Sequence, residues 1–149
     1  MVGRGLPEQE LVRQLGKDVS PQRWLELWNC HFTLNEPMLA MVQFLVGQVR
    51  LVLLSNTHDQ HFSWLLPRIP VLRQFDGLVL SYEVGHIKPE KAIYERALTA
   101  AGTAPWKTAY FDDVKSFAAA ATQVGMHGRV FTTVEQFTDD LAGLGFHSR

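Results

Sequence analysis

The amino-acid sequence predicts an α/β fold of three layers, with a short parallel sheet of about four strands covered by helices on both faces. Short apolar runs without polar alternation recur at 49–54, 77–80, 108–112 and 129–132. Strands buried on both faces read this way. Helical stretches with one apolar face separate these runs. Polar and charged residues gather just past the ends of the runs, where open parallel sheets bind ligands.

The elements follow in order. A short amphipathic helix is expected from Glu8 to Leu15, stopping at Gly16. A second opens with Ser20 as N-cap and Pro21 at the first helical position, and carries Trp24, Leu25, Leu27 and Trp28. A third starts at Asn35-Glu36-Pro37 and carries Met38, Leu39, Val42, Phe44 and Leu45, ending near Gly47. Val49 to Leu54 is the first strand. A helix from Asp59 to Leu66 is ended by Pro67. Gly77 to Leu80 is the second strand. Pro89 to Ala101 is a helix with Ala92, Ile93, Ala97 and Leu98 inward, closed by Gly102. Thr108 to Asp112 is the third strand, Ser116 to Val124 an Ala-rich helix ended by Gly125, Arg129 to Thr132 the fourth strand and Val134 to Leu144 the last helix. The boundary falls near Thr33 to Glu36. It separates a helical segment, 1–34, from an α/β core, 35–149.

Bulk properties narrow the classes. At 149 residues, 46% hydrophobic and 19% charged, the chain can bury a core and has a globular balance. A formal net charge of -1 gives no electrostatic basis for nucleic acid or an anionic membrane. Cys30 is the only cysteine, so no internal disulfide forms, which fits a reducing compartment. The opening residues lack the apolar stretch of a signal peptide. Met38 to Leu54 is broken by Gln43, Gln48 and Arg50, whereas a span needs about 20 mostly apolar residues. The expectation is a soluble, cytoplasmic protein.

Three groups of residues carry the chemistry. Ser55-Asn56-Thr57 ends the first strand, Lys88 precedes a helix-opening Pro89, and Asp112-Asp113 ends the third strand. A hydroxyl and backbone N–H groups suit phosphate oxygens. A lysine neutralises phosphoryl charge. Paired carboxylates offer hard oxygens for Mg²⁺ or Mn²⁺. Singly, each group also reads as a turn, a solvated lysine or a helix cap; their order at strand ends is what points to a site. His58 and His61, three residues apart, are further candidate ligands for Mn²⁺ or Zn²⁺, or else solvent-facing loop residues. His86 reads as a surface residue, and Trp24 and Trp28 as a packed helix face or an aromatic pocket wall.

This ordered set resembles the haloacid dehalogenase-like (HAD) hydrolase superfamily, in particular its sugar-phosphatase and epoxide-hydrolase N-terminal-like members. Val52-Leu53-Leu54-Ser55-Asn56-Thr57 looks like the second motif. The segment from Gly85-His86-Ile87-Lys88-Pro89-Glu90 to Tyr94 looks like the third. Tyr110-Phe111-Asp112-Asp113, with Ala118-Ala119-Ala120 and Gly125-Met126-His127-Gly128, looks like the fourth. The resemblance covers about Glu36 to Phe137, and segment 1–34 resembles the tail of a helical cap. It implies a Rossmann-like fold and a small phosphorylated substrate. Ser55, Asn56, Thr57 and Lys88 would bind that substrate, with Lys88, Ser55 and Asp113 as catalytic residues. Asp112 and Asp113 would hold the metal, with His58 and His61 as further candidates.

Two departures matter. The family's first motif, an Asp-x-Asp pair on a central first strand, has no counterpart here, and Phe117 stands where relatives often carry Asn. The chain therefore reads as truncated at its N-terminus. Metal-activated water would replace the missing aspartate nucleophile. The lost strand would leave its neighbours' edges unpaired. Buried unpaired backbone groups cost about 1–3 kcal/mol each, so the two strands pair directly or another chain covers them. A homodimer, with helices exchanged as one form of it, is expected. The competing readings are an inactive remnant that binds metal or phosphate or self-associates, and a fragment completed by another chain.

Overall fold

The computed structural model describes Ser20, Gln22, Arg23 and residues 33–146. The chain divides into two compact units, Met1–Leu34 and Asn35–Arg149. The helix expected at 8–15, the Trp24 and Trp28 face and the cap reading of 1–34 lie outside the described residues. Within the first unit, the Ser20 hydroxyl accepts the Arg23 N–H at 3.2 Å, as an N-cap does.

The second unit starts with helix α1, Glu36–Leu45, whose first turn is capped where Asn35 Oδ1 accepts the Met38 N–H at 3.0 Å. Strand β1, Val52–Ser55, leads to helix α2, Asp59–Leu65, and a 3₁₀ turn at Pro70–Gln74. Strand β2, Gly77–Leu80, runs into the one-turn helix α3, Ser81–Val84. Helix α4, Lys91–Ala101, ends at Gly102 with φ of 61°, where the Gly102 N–H donates to the Leu98 carbonyl. A 3₁₀ turn at Pro105–Lys107 precedes β3, Ala109–Asp112, then helix α5, Lys115–Gln123, strand β4, His127–Val130, and helix α6, Val134–Gly143. The three short turns are not legible as apolar periodicity and were not expected.

Strand ends shift for local reasons. The Leu51 N–H donates to the Asp76 carboxylate at 2.8 Å, so regular pairing starts at Val52 rather than Val49. At the fourth strand, the Thr132 N–H and hydroxyl both go to Gln136 Oε1 at the start of α6, and the strand ends at Val130.

The α/β fold with short parallel strands expected from the sequence is present, and the pairing corrects only the single sheet. β1 pairs in parallel with β2, and β3 in parallel with β4, as two separate two-stranded sheets. Direct pairing of β1 with β3 does not occur, and among the described residues each has one edge without a strand partner.

Side-chain alternation sorts the strands onto opposite faces. Val52 and Leu54 of β1, Val79 of β2 and Tyr110 of β3 pack with Ile93, Tyr94 and Ala97 of α4 and Ala121 of α5. Leu53, Leu78 and Leu80 face the other way, onto Phe62, Leu66 and Leu72. On β3, Phe111 meets Phe137 of α6 with ring centroids 4.4 Å apart. Gly128 lets β4 approach α5 closely; a Cβ there would stand 2.1 Å from the Ala118 carbonyl oxygen. This packing brings the carboxyl ends of β1 and β3 to the same side.

Candidate active site

Ser55 closes β1 and Asp112 closes β3. Lys88 comes from the loop between α3 and α4, and two hydrogen bonds hold its backbone. Lys88 N–H donates to Asn56 Oδ1 at 2.7 Å, and Asn56 Nδ2 donates to the Lys88 carbonyl at 3.1 Å. The Asn56 amide is therefore a clamp between motif segments 32 residues apart. The Lys88–Pro89 peptide bond is cis.

The clamp aims Lys88 at Asp112, with Nζ 2.7 Å from Oδ2 and side chains only 10% and 7% exposed. Phe117 lies under the same ammonium, Nζ standing 4.9 Å from the ring centroid. The residue that departs from the family pattern thus gives Lys88 an aromatic face instead of a polar neighbour.

Asp112 has two further partners. Tyr110 OH donates to Oδ2 at 2.5 Å, and the Val114 N–H donates to Oδ1 at 2.9 Å. Burial alone would raise the Asp112 carboxyl. The hydrogen bonds from Lys88, Tyr110 and Val114, together with the lysine charge, outweigh it and hold the carboxyl below its usual value. Asp112 is thus a preformed carboxylate. Asp113 next to it is exposed. A cleft of about 550 Å³ opens beside them, lined by Met38, Phe111, Asp112, Asp113, Phe131 and Thr132.

A second clamp fixes the loop after β1. The Thr57 N–H donates to Ser81 Oγ at 2.9 Å, and the Ser81 hydroxyl donates back to the Thr57 carbonyl at 2.8 Å. Ser81 is buried, and nothing in its sequence surroundings marks it. Tyr110 was likewise missed; its place two residues before Asp112, on the same strand face, is the signal that could have found it.

Hydrogen bonds join Asn56, Lys88 and Asp112 at the strand ends, and Ser55 precedes Asn56 as the last residue of β1. The histidines make local contacts. His58 caps α2, its Nδ1 accepting the His61 N–H at 3.3 Å, and the His61 ring stacks on Trp64 with centroids 6.4 Å apart. His86 pairs with Glu90 at 3.2 Å on the exposed surface. Among the described residues, no three His, Cys, Asp or Glu groups gather as a metal cage. One or two carboxylates at an open cleft suit Mg²⁺, which keeps waters and is completed by substrate phosphate. Zn²⁺ wants three or four protein ligands. The donor set therefore fits Mg²⁺ or Mn²⁺ on Asp112 and Asp113. No described helix is long and apolar enough to cross a membrane.

Parallel strand pairs flanked by helices, with a hydroxyl, a lysine and carboxylates at the strand ends, make an α/β arrangement similar to that of HAD-like proteins, and likenesses to known proteins support that superfamily. The chain is 29% identical over 113 residues to the D-ribitol-5-phosphate phosphatase of Bacteroides thetaiotaomicron. That alignment takes in 70% of this chain and 52% of the phosphatase, so the chain spans about half the length of this curated relative. Among solved structures, a HAD family enzyme from the same organism superposes with a TM-score of 0.79 at 25% identity, covering 91% of this chain and 72% of that one. Its complex with magnesium and inorganic phosphate gives 0.73 at 27% identity, covering 85% and 69%. A predicted HAD-like family hydrolase from Porphyromonas gingivalis, at 24% identity, TM-score 0.76 and coverage of 95% and 72%, shares the fold. No protein-family model matches the chain.

Proposed function

We propose that the chain is a metal-dependent hydrolase of phosphoric esters, close to the sugar-phosphatase and epoxide-hydrolase N-terminal-like members of its superfamily. The observation that carries this is the Lys88–Asp112 contact of 2.7 Å, held by the Asn56 clamp at the ends of β1 and β3. Such a cation–carboxylate pair beside an open cleft can bind an anionic ester and a cation together. The magnesium and phosphate found in the Bacteroides enzyme support the same pairing.

Asp112 and Asp113 would hold the cation, Mg²⁺ or Mn²⁺. When bound, the cation would supply Lewis-acid polarisation of the phosphoryl group and lower the pKa of a water beside it. Ser55 and the Asn56 backbone N–H would bind phosphoryl oxygens. Lys88 neutralises charge as it develops. Asp113, the exposed carboxylate, would accept a proton from the water that attacks.

The test is turnover of aryl phosphate mono-, di- and triesters with Mg²⁺ or Mn²⁺. Hydrolysis abolished by chelator and by Asp112→Ala is expected; a folded protein without turnover under any metal overturns the reading.

The edges of β1 and β3 that have no strand partner among the described residues favour a second reading, in which another chain covers them. A homodimer, with helices exchanged, supplies that cover. A monodisperse monomer in light scattering at micromolar concentration counts against the dimer. Activity that emerges only after adding an upstream fragment supports completion by another polypeptide. The expected setting is the cytoplasm.

A further inference from the structure

We propose that Tyr110 is a positioning residue that makes Asp112 a one-oxygen ligand, and that this sets the site's preference for a small divalent cation over Ca²⁺. The inference rests on the reading that Asp112 holds the cation. A carboxylate offers about four lone-pair positions, two on each oxygen. On Asp112, Oδ2 accepts from both Lys88 Nζ at 2.7 Å and Tyr110 OH at 2.5 Å, which fills it. Oδ1 accepts only the Val114 N–H at 2.9 Å and keeps one position open. A cation at this carboxylate therefore meets a single oxygen.

The arrangement is rigid. The Tyr110 ring is held edge-on by Tyr94, with centroids 5.4 Å apart at 82°. Tyr94 is itself fully buried and donates its hydroxyl to the Phe117 carbonyl at 2.9 Å. The phenol cannot swing away from Oδ2 without disturbing this pair. Mg²⁺ demands near-octahedral geometry and accepts single carboxylate oxygens, whereas Ca²⁺ takes six to eight ligands and often both oxygens of a carboxylate. Blocking Oδ2 withholds the second oxygen that Ca²⁺ would use.

The test is binding of the metal alone, followed by the electron paramagnetic resonance of free Mn²⁺, with Mg²⁺ and Ca²⁺ as competitors. In the wild-type chain Mg²⁺ displaces Mn²⁺ at lower concentration than Ca²⁺ does; equal displacement overturns the proposal without any variant. Tyr110→Phe removes one oxygen and keeps the ring against Tyr94. It is expected to weaken Mn²⁺ binding about 10- to 100-fold, the usual loss when a group bonded to a metal ligand is removed, and to narrow the gap between Mg²⁺ and Ca²⁺. Binding within twofold of wild type, with the selectivity unchanged, overturns it. Asp112→Ala is the control on the underlying reading. If Asp112→Ala still binds Mn²⁺, the cation sits elsewhere and both readings fall; if only Tyr110→Phe is silent, the positioning role alone falls.

Discussion

Lys88 Nζ and Asp112 Oδ2 stand 2.7 Å apart, and both side chains are almost wholly withdrawn from solvent. Each charge is therefore compensated mainly by the other. Removing one partner strands the other. Lys88→Met is expected to destabilise the fold by about 3 kcal/mol, the scale for breaking a buried pair from one side. The double variant Lys88→Met, Asp112→Leu should recover much of that loss. Urea unfolding of the four species of the cycle measures the coupling; additive losses would show that the contact carries no net interaction.

The same pair sets an acid limit. The folded-state carboxyl of Asp112 lies below its ordinary value of 3.8, so the unfolded chain binds this proton more readily. Stability from Asp112 is fully present above that ordinary value and is lost as pH falls through the lower folded value. The urea midpoints of wild type and Asp112→Asn should stay apart above about pH 4 and converge as the pH falls below it. A gap that stays constant through that fall would contradict the assigned shift.

The tyrosines report the alkaline side. Burial, then the Asp112 charge, pushes the Tyr94 phenol up to about 12. Burial, then the hydrogen bond to Asp112, raises Tyr110 as well. For raised groups the contribution is present below the unfolded value of 10.0 and is lost as pH climbs toward the folded one. Of the three tyrosines, only Tyr82, 39% exposed, should ionise while the chain stays folded. Phenolate absorbance with parallel circular dichroism checks this. Three reversible ionisations in a folded chain would be the contrary result.

Asn56 can be tested as a clamp. Asn56→Asp keeps an acceptor for the Lys88 N–H but turns the other amide contact into oxygen against the Lys88 carbonyl. A loss of about 1–3 kcal/mol is expected from the unmatched pair, with weaker phosphate binding because Lys88 is no longer aimed. Calorimetric titration with inorganic phosphate and a thermal melt read the two effects separately. Unchanged values for both would leave Asn56 without a positioning role.

Gly128→Ala puts a methyl group 2.1 Å from the Ala118 carbonyl oxygen, a backbone atom that cannot step aside. A loss of more than about 3 kcal/mol, or failure to fold, is expected, beyond ordinary overpacking. A melting temperature within a few degrees of wild type would show that α5 can retreat from β4.

Much of the architecture was legible in the chain because it depends on neighbours along it. Apolar runs, proline and glycine stops and the Asn35 cap located α1, α4, α5 and α6, with ends shifted by a few residues. Ser55, Lys88 and Asp112 were legible as polar groups at strand ends. The roles of Asn56 and Phe117 were not. Asn56 reads as a ligand for substrate, yet its amide is spent on Lys88. Phe117 reads as a lost polar anchor, yet its ring faces the lysine ammonium. Both facts arise from contacts between segments about thirty residues apart.

Strand pairing marks the division most clearly. The sequence by itself determined four short strands, their helices and the polar groups at their ends, since periodicity and turn chemistry are local. Only the tertiary structure decided that β1 joins β2 and β3 joins β4, with no bond between β1 and β3. It also decided that Tyr110, Lys88 and the Val114 N–H share the two oxygens of Asp112. Backbone edges are chemically alike along every strand. Which edges meet, and which lone pairs remain open, depends on how distant segments pack.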